Sequence, residues 1–432
     1  MWSIYGNTYD LTSFITHHPG GREILENTRG IGDCTALFES YHAFSDFPQI
    51  RQSLEKYKIE NHSPKKEGED RNIDHSIDNY DCNDFTTYHE LVDRIKVVYP
   101  NRQSIKPSSS WYVLLGGLGI GYAFIWYHLL WKSYDGFYGF WITLCLCCFL
   151  GILESTILFN IVHDSSHYAF FLDSKKNNLA STVSNSWMLW NHTVWFFHHL
   201  YYHHSFTGGK IDIDQNVYNK NNKNNKNNQK NVHCLEWRMN FFYMVFPGQY
   251  VTQIIWYIIS AFTKDLYTFF SFTDNLHTME PVGPLPSRGF SYFYDPWSLS
   301  IMAIKIVLLS RIPIVPLLFY FIVLNTLYYI NIMGNHDLYS TFENFYDGSD
   351  WAKRQICNSG NFMNSSMVWT FLFGGINYQI EHHLFPNMNN SHYPRIAPIV
   401  KEFCVEKNIP YIHKSTWTET YYDFIKRIQY HK

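Results

Sequence analysis

Residues 111–131 read WYVLLGGLGIGYAFIWYHLLW, and residues 137–160 read FYGFWITLCLCCFLGILESTILFN. A helix rises about 1.5 Å per residue, so about 20 apolar residues are enough to cross a hydrocarbon core of about 30 Å. Only a short loop at residues 132–136 separates the two runs. One such run alone would also fit the buried core helix of a soluble protein, but the pair predicts a transmembrane hairpin.

Two further apolar stretches follow, at residues 241–262 and 298–333, and the second is long enough for two passes broken near residues 311–313. The composition agrees with a membrane protein, since the 432 residues are 46% hydrophobic and only 16% charged, against about 25% charged in soluble domains. This much apolar mass excludes a disordered chain. A net charge of -3 gives no overall attraction to phosphates, so we expect no nucleic-acid partner.

The polar segments and the cysteines carry less information. The 8 cysteines do not form a disulfide framework, because three of them lie in the second apolar run and no Cys-x-x-Cys pair occurs. A reducing, cytosol-facing location is therefore expected. Residues 219–231 (NKNNKNNKNNQKN) are too polar to bury apolar area, so a disordered insert is expected there.

Histidines cluster at the ends of the apolar runs. The clusters are HDSSH at 163–167, HHLYYHH at 198–204, GNHD at 334–337 and QIEHH at 379–383. Residues four apart share one face of a helix, which suits chelation of one metal or bridging of two. Any one of these histidines is equally well explained as a core or surface group, but buried imidazoles in this number are costly without a metal. Imidazole suits iron, zinc and copper, and eight rings are too many for one ion and about right for two.

These clusters can meet only if they lie on one side of the membrane. The hairpin returns the chain to its starting side at His163, so an even number of spans must separate that residue from His382. We therefore expect residues 241–262, interrupted by Pro247 and Gly248, to lie at the membrane interface, with spans near 298–312 and 313–333. This brings the expected total to about four transmembrane helices.

The amino-terminal segment, residues 4–59, is typical of a small soluble domain. A turn at Gly6–Asn7 between short alternating stretches predicts a hairpin. The motif His-Pro-Gly-Gly at 18–21 and the run DCTALFESYH ending at His42 follow. Two histidines near helix ends are able to clamp a haem from both faces, and such a haem only transfers electrons. Two unrelated surface histidines beside a glycine-rich turn are the alternative.

Residues 2–60 resemble cytochrome b5 through YDLTSF, HPGG and DCTALFESYH. The resemblance implies a haem b with His18 and His42 as axial ligands; His17 is the competing candidate for the first. The family usually has some twenty residues before the tryptophan that Trp2 resembles, so an N-terminally shortened domain is expected.

Residues 111–413 resemble the membrane-bound fatty acid desaturases through HDSSH, HLYYHH and QIEHH. The resemblance implies two iron ions and a role for Gln379 beside them. Gln379 at the head of the last motif, with an amino-terminal cytochrome b5, marks the front-end desaturases. The implied ligands are His163, His167, His199, His203, His204, His336, His382 and His383.

His198 departs from the family, where glutamine is frequent, and is a candidate spare ligand or hydrogen-bond donor to a ligand. Asp164, Glu381 and Asp337 are candidate acceptors that orient ring N–H groups; ordinary polar side chains near helix ends are the alternative.

The fold class expected from these resemblances is multi-domain. An α+β haem domain (1–60) precedes a linker and pre-membrane segment (61–110), an all-α polytopic membrane desaturase domain (111–413) and a C-terminal tail (414–432). Front-end desaturases place a cis double bond between an existing one and the carboxyl end of a polyunsaturated acyl chain, using O2 and electrons from the haem. The implied partners are the lipid bilayer, an acyl-CoA or acyl-phospholipid substrate, NADH-cytochrome b5 reductase and free cytochrome b5. The implied location is the endoplasmic reticulum, with haem domain and histidines facing the cytosol.

Other activities remain open on the same motifs. The scaffold is able to hydroxylate an acyl chain or to desaturate a sphingolipid, and Gln379 disfavours both. A non-catalytic membrane haem electron carrier is the alternative of another class, although intact histidine motifs argue against it. A desaturase with an empty haem domain that borrows electrons from free cytochrome b5 is a further alternative.

Overall fold

The computed structural model describes residues 1–59, 84–132, 134–209, 212 and 295–429. The expected interfacial segment 241–262, the insert 219–231 and most of the linker lie outside the described residues. The described part is mostly helical, as expected, with two short two-stranded sheets.

The amino-terminal module begins with an antiparallel hairpin of β1 (Trp2–Ile4) and β2 (Asn7–Tyr9). The turn lies at Tyr5 and Gly6, one residue before the predicted Gly6–Asn7. Both turn residues have positive φ, 52° and 70°, as a two-residue turn of matching twist requires. Tyr5 is held there because its N–H donates to Thr35 Oγ1 at 2.7 Å and its hydroxyl donates to Glu39 at 2.5 Å.

Helices enclose the rest of this module. The His-Pro-Gly-Gly motif separates a 3-10 turn from the first helix, and it needs its glycines: a Cβ on Gly20 would stand 2.6 Å from the His18 ring, and Gly21 has φ +101°. The module's helical segments are the 3-10 turn Thr12–His17, α1 (Arg22–Thr28), α2 (Thr35–His42) and α3 (Phe47–Glu55).

In the part of the chain that the structure describes, two helices are long and apolar enough to cross a membrane, α5 (Ser109–Trp131) and the continuous helix Gly136–Ser166. α4 (Thr86–Lys96) precedes them. The most apolar window of α5 is only 11% buried, and apolar side chains such as Val113 and Ile120 are about three-quarters exposed (75% and 74%). This exposure is opposite to that of a soluble protein's core helix and fits a surface covered by lipid.

The second long helix has three parts: α6 (Gly136–Ile157), a π-helical turn (Leu158–His163) and α7 (Asp164–Ser166). It packs along α11 (Ile314–Met333), which follows α10 (Pro296–Leu309). α10 has 14 residues, or about 21 Å of helix, and is shorter than a full span. Among the described residues, two helices therefore qualify as spans by length and hydropathy, and α10 and α11 are two further apolar helices.

A buried ion pair joins α6 to α10. Lys305 Nζ donates to Glu154 Oε1, and the Tyr320 hydroxyl of α11 donates to Glu154 Oε2 at 2.8 Å. All three side chains are fully buried. Charged groups are tolerated among apolar helices when they are paired and turned inward, so this contact fixes how the helices pack.

The remaining helices form a polar half that contains the histidine motifs. In this half, β3 (Asn361–Phe362) pairs in parallel with β4 (His413–Lys414), which joins two segments that are distant in the sequence. The segment after residue 413, expected as a tail, contains the helix Trp417–Gln429, which packs on the helix Tyr339–Glu343. The helices are α8 (Ser174–Trp187), α9 (His192–Trp195), a π-helical turn (Phe196–His203), α12 (Tyr339–Glu343), α13 (Trp351–Cys357), α14 (Met367–Leu372), α15 (Gln379–Leu384), a 3-10 turn (Asn390–His392), α16 (Tyr393–Glu406) and α17 (Trp417–Gln429).

The amino-terminal module shares its core with this polar half. Trp2 and Ile4 belong to one buried cluster with Phe197 and Leu200 of the second histidine motif. Phe44 packs on Phe385 with ring centres 5.7 Å apart. The module is therefore packed directly onto the segments that carry the histidines.

Candidate active site

Two groups of buried histidines face each other in the polar half. The first contains His163, His167, His199 and His382, and the second contains His203, His336 and His383. Within each group one ligand atom per residue lies within 4.8 Å of all the others.

Two of the four motifs are divided between the groups. His199 and His203 stack with ring centres 5.3 Å apart in a π-helical turn, yet they belong to different groups. His382 and His383 are neighbours in sequence and also belong to different groups. The second and fourth motifs therefore link the two groups, whereas the first motif serves one of them.

His204 lies between the groups. Its ring centre is 4.6 Å from those of His167 and His382 and 4.4 Å from that of His383. Its Nε2 is 3.3 Å from Nε2 of His199. The structure thus brings together all eight histidines that the family resemblance implied.

Gln379 joins the second group. Its Nε2 is 2.9 Å from Nε2 of His336, and its Oε1 is buried without a hydrogen-bond partner. His198 stacks on Trp195 at 5.9 Å and belongs to neither group of described residues that fits a metal.

The ring nitrogens are arranged as metal ligands would be. Nε2 of His163 and Nε2 of His199 are 3.1 Å apart, and two nitrogens bound at right angles to one ion at about 2.1 Å would lie about 3 Å apart. Nε2 of His167, His382 and His383 is buried and without a partner. Orphaned buried nitrogens are costly, and two cations bound among them would satisfy all three.

Five of these rings have a partner at the outer nitrogen Nδ1, as bound imidazoles normally require, whereas Nδ1 of His163 and of His204 is buried without one. His203 Nδ1 is 2.8 Å from Asp212 Oδ1, His336 Nδ1 is 2.8 Å from the Asn358 carbonyl, and His383 Nδ1 is 2.8 Å from Gln355 Oε1. His382 Nδ1 is 3.2 Å from the Tyr393 hydroxyl and His167 Nδ1 is 3.0 Å from the Tyr41 hydroxyl. These contacts leave each Nε2 for the interior of the cluster.

Sequence reasoning missed these partners and suggested others. Asp164 Oδ1 is 3.7 Å from His163 Nδ1, too far for a hydrogen bond, and Asp164 Oδ2 instead accepts from the Asn389 side chain at 2.6 Å. Glu381 accepts from Asn361 at 2.7 Å and from Tyr411 at 2.8 Å, so it anchors α15 instead of orienting a ring.

Burial keeps the cluster neutral. Desolvation, followed by the neighbouring imidazoles, holds the pKa of His167, His204, His382 and His383 well below the usual value. Neutral imidazole is the form that binds a metal, and an all-neutral donor set leaves a bound cation with its positive charge. The donor set therefore fits redox-active iron.

A cavity of about 370 Å³ lies between His18 and His42. The ring centres are 6.1 Å apart, and two imidazoles bound to one ion at about 2 Å would place them about 6 Å apart. His18 Nδ1 donates to the Gly21 carbonyl at 2.9 Å and His42 Nδ1 to the Phe38 carbonyl at 2.7 Å, which leaves Nε2 of each for a ligand. His17 is exposed, and its ring contacts Thr16.

The cavity wall is mostly apolar on the module's side and carries the Arg102 guanidinium on the other. Burial lowers the pKa of His42 to about 4 and that of His18 in the same direction, so both rings stay neutral. Arg102, from the segment before α5, lines the far side, and no carboxylate is among the described lining residues. Lys106 lines it too, but its Nζ donates to the Tyr168 and Asn387 carbonyls, and burial lowers its pKa to about 7. The Arg102 guanidinium at this place suits a carboxylate of a haem.

Profiles of two known families match the chain. The fatty acid desaturase family matches residues 139–415, and the cytochrome b5-like heme/steroid binding domain matches residues 1–63. The first match contains all of the histidine groups, and the second contains both histidines of the cavity.

Curated relatives match over nearly the whole length. The chain is 23% identical to acyl-lipid (8-3)-desaturase of Mortierella alpina over 99% of this chain and 92% of that protein. It is 26% identical to acyl-lipid (8-3)-desaturase of Physcomitrium patens, covering 96% and 85%. It is also 26% identical to delta(5) fatty acid desaturase A of Dictyostelium discoideum, covering 96% and 87%.

The family accounts for both sites, because cytochrome b5-like domains bind haem and these desaturases are di-iron oxidoreductases of membranes. The two histidine groups supply the donors for the iron pair, and the cavity supplies the axial pair for the haem. The chain belongs to the fatty acid desaturase family and carries an amino-terminal cytochrome b5-like domain.

Proposed function

We propose that this chain is a front-end desaturase, which places a cis double bond between an existing double bond and the carboxyl end of a polyunsaturated acyl chain. The observation that carries the proposal is Gln379 beside His336 in a centre otherwise made of histidines, combined with a haem cavity on the same chain. Relatives named (8-3)- and delta(5) desaturases, matched over most of their length, support it.

The proposed reaction consumes the acyl chain, O2, two electrons and two protons, and it yields the alkene and two water molecules. The iron pair, when bound, supplies the oxidising power that removes two hydrogens from adjacent methylenes. We assign the ligand role to His163, His167, His199, His203, His204, His336, His382 and His383, with Gln379 as a neutral amide at the second ion, and the axial role to His18 and His42.

The protein groups prepare this site without themselves changing oxidation state. The outer hydrogen bonds fix which ring nitrogen faces the metals. Burial keeps the imidazoles neutral and excludes bulk water from the cluster. The Gln379 amide would be a weaker ligand than imidazole for an ion held beside His336.

We also propose a topology and a setting. Four spans, with α10 and α11 forming a second membrane hairpin, place all the histidines on the cytosolic side of the endoplasmic reticulum. NADH-cytochrome b5 reductase would reduce the haem, and the acyl chain would arrive on coenzyme A or a phospholipid. The proposed domain bounds are 1–60, 61–110, 111–413 and 414–432.

Expression in yeast fed C18 and C20 polyunsaturated acids tests the activity, with His382→Ala as the inactive control. We expect gas chromatography–mass spectrometry to show a product with one added double bond nearer the carboxyl end, absent in the control. The delta-5 position is examined first because relatives carry that name. No product from a chain that is present in the membrane and shows a haem Soret band would contradict the proposal.

A further inference from the structure

Tyr41 connects the two redox sites of this chain. It precedes the haem ligand candidate His42 in α2 and lines the haem cavity. Its hydroxyl is 3.0 Å from Nδ1 of His167, a member of the first histidine group. A single side chain of the haem module thus contacts the ring of a proposed iron ligand.

The position of Tyr41 is fixed by several contacts across the same interface. Asn387, just after the last histidine motif, donates to the Tyr41 carbonyl at 2.9 Å. Glu39, on the same helix, accepts from His89 of α4 at 2.8 Å. The Phe44 ring is buried against Phe385. Contacts on both sides of Tyr41 hold the hydroxyl where it meets His167.

The role of the contact between Tyr41 and Nδ1 of His167 follows from the state of Nε2, the other nitrogen of the His167 ring. Nε2 of His167 is buried without a partner, so it is the atom that serves the cluster. A ring that binds a cation through Nε2 carries its proton on Nδ1, and that N–H must then donate to the Tyr41 oxygen. Such outer acceptors set the tautomer and the orientation of the ligating ring.

His167 differs from the other ligand rings in which part of the chain supplies the partner of its Nδ1 atom. Four further ligand rings hold Nδ1 against a carboxylate, carbonyl, amide or hydroxyl of the desaturase part itself. The acceptor for His167 comes instead from the amino-terminal module, more than a hundred residues away in the sequence.

We infer that Tyr41 is a positioning residue of the iron centre, supplied by the haem module: it holds His167 in the tautomer and orientation that bind metal. The inference rests on the proposed metal-binding role of the histidine groups. It means that the haem module is a structural part of the metal site in addition to an electron donor. When the module is docked, its Tyr41 hydroxyl supplies the hydrogen-bond partner for Nδ1 of His167.

The test compares Tyr41→Phe with Tyr57→Phe in the full-length protein purified with its haem. Both tyrosines line the haem cavity, and each change removes one hydroxyl. Ferrous iron is titrated against a chelator of known affinity, and the Soret band reports the haem. We expect iron affinity to fall by about 10- to 100-fold in Tyr41→Phe, the usual cost of losing an outer partner, with the Soret band unchanged. Tyr57→Phe should match the wild type in both.

Cobalt(II) bound in place of iron gives a second readout. Its ligand-field bands should shift in Tyr41→Phe and stay in place in Tyr57→Phe, because only the first change frees a ligating ring. Equal iron affinities and equal cobalt spectra in the two variants would overturn the inference. A wild-type protein that binds haem but no iron or cobalt would instead overturn the proposed metal centre, and with it the inference.

Discussion

Replacing Asp212 with Asn tests how the second iron site is held. Asp212 Oδ1 is 2.8 Å from His203 Nδ1, and Oδ2 accepts from the Gly208 N–H at 2.8 Å. Both side chains of the pair are almost completely buried. Asparagine has one acceptor oxygen where aspartate has two, so Asp212→Asn must lose one of these bonds and the negative charge.

The size of the effect follows from that loss. A hydrogen bond to a charged group contributes about 1.5–3 kcal/mol, and about 1.4 kcal/mol corresponds to a factor of ten. Iron affinity should therefore fall by about 10- to 100-fold, which agrees with the usual effect of removing an outer partner of a ligating histidine. The haem should be unaffected, because Asp212 does not line its cavity.

The assay is a competition between the full-length protein and a chelator for ferrous iron, with Asp93→Asn as the matched control. Asp93 is exposed on α4, so the same chemical change there should leave iron affinity unaltered. An affinity for iron in Asp212→Asn within about twofold of Asp93→Asn would refute the reasoning, since about 0.4 kcal/mol is too little for a buried charged contact.

Four further predictions follow from the remaining contacts. His42→Ala should abolish the Soret band while the iron at the histidine groups remains, as metal analysis per chain would show. Arg102→Gln should speed haem loss to apomyoglobin, because Arg102 faces a cavity without carboxylates, whereas Arg22→Gln on the exposed face of α1 should not. Glu154→Gln should destabilise the protein by about 3–5 kcal/mol, because Lys305 is left buried and unpaired. The double variant Glu154→Met, Lys305→Met should restore the thermal midpoint of the wild type. Acidification should lower the thermal midpoint of the haem-free protein between about pH 6.5 and about pH 4, because in this window the unfolded chain protonates His42 and the folded chain, whose His42 pKa is about 4, does not; above pH 7 this residue should contribute no slope.

Local sequence patterns predicted much of the architecture. The hairpin of long apolar helices follows from run length, and both helices are present. The i, i+4 spacing of the histidines predicts rings on one face of a helix, and the structure has eight rings in one cluster. The number of transmembrane helices is less accessible, because α10 is too short to be identified as a span by length alone.

The division of ligands between the two groups was beyond the sequence. Spacing by four residues allows either one shared metal or two bridged ones. His163 and His167 fall in one group, whereas His199 and His203 fall in different groups although their rings stack. The same spacing thus has two outcomes, and the packing of distant motifs decides between them.

The outer partners were also beyond the sequence, for a different reason. Asp212, Asn358 and Tyr41 are separated from the rings they contact by 9, 22 and 126 positions. Such pairs arise from how distant elements pack, whereas Asp164, a neighbour of His163 in sequence, has its hydrogen bond with Asn389 instead. Asp212 follows a histidine motif closely, and a carboxylate near a motif is the weak signal that would have found it.

The count of metals and haem in the purified full-length protein tests the central claim most directly. The account predicts three iron atoms per chain, one extracted with the haem and two that remain, and it predicts loss of the non-haem iron in His382→Ala with the haem retained. One iron per chain, all of it in haem, or zinc in place of the non-haem iron, would contradict the account.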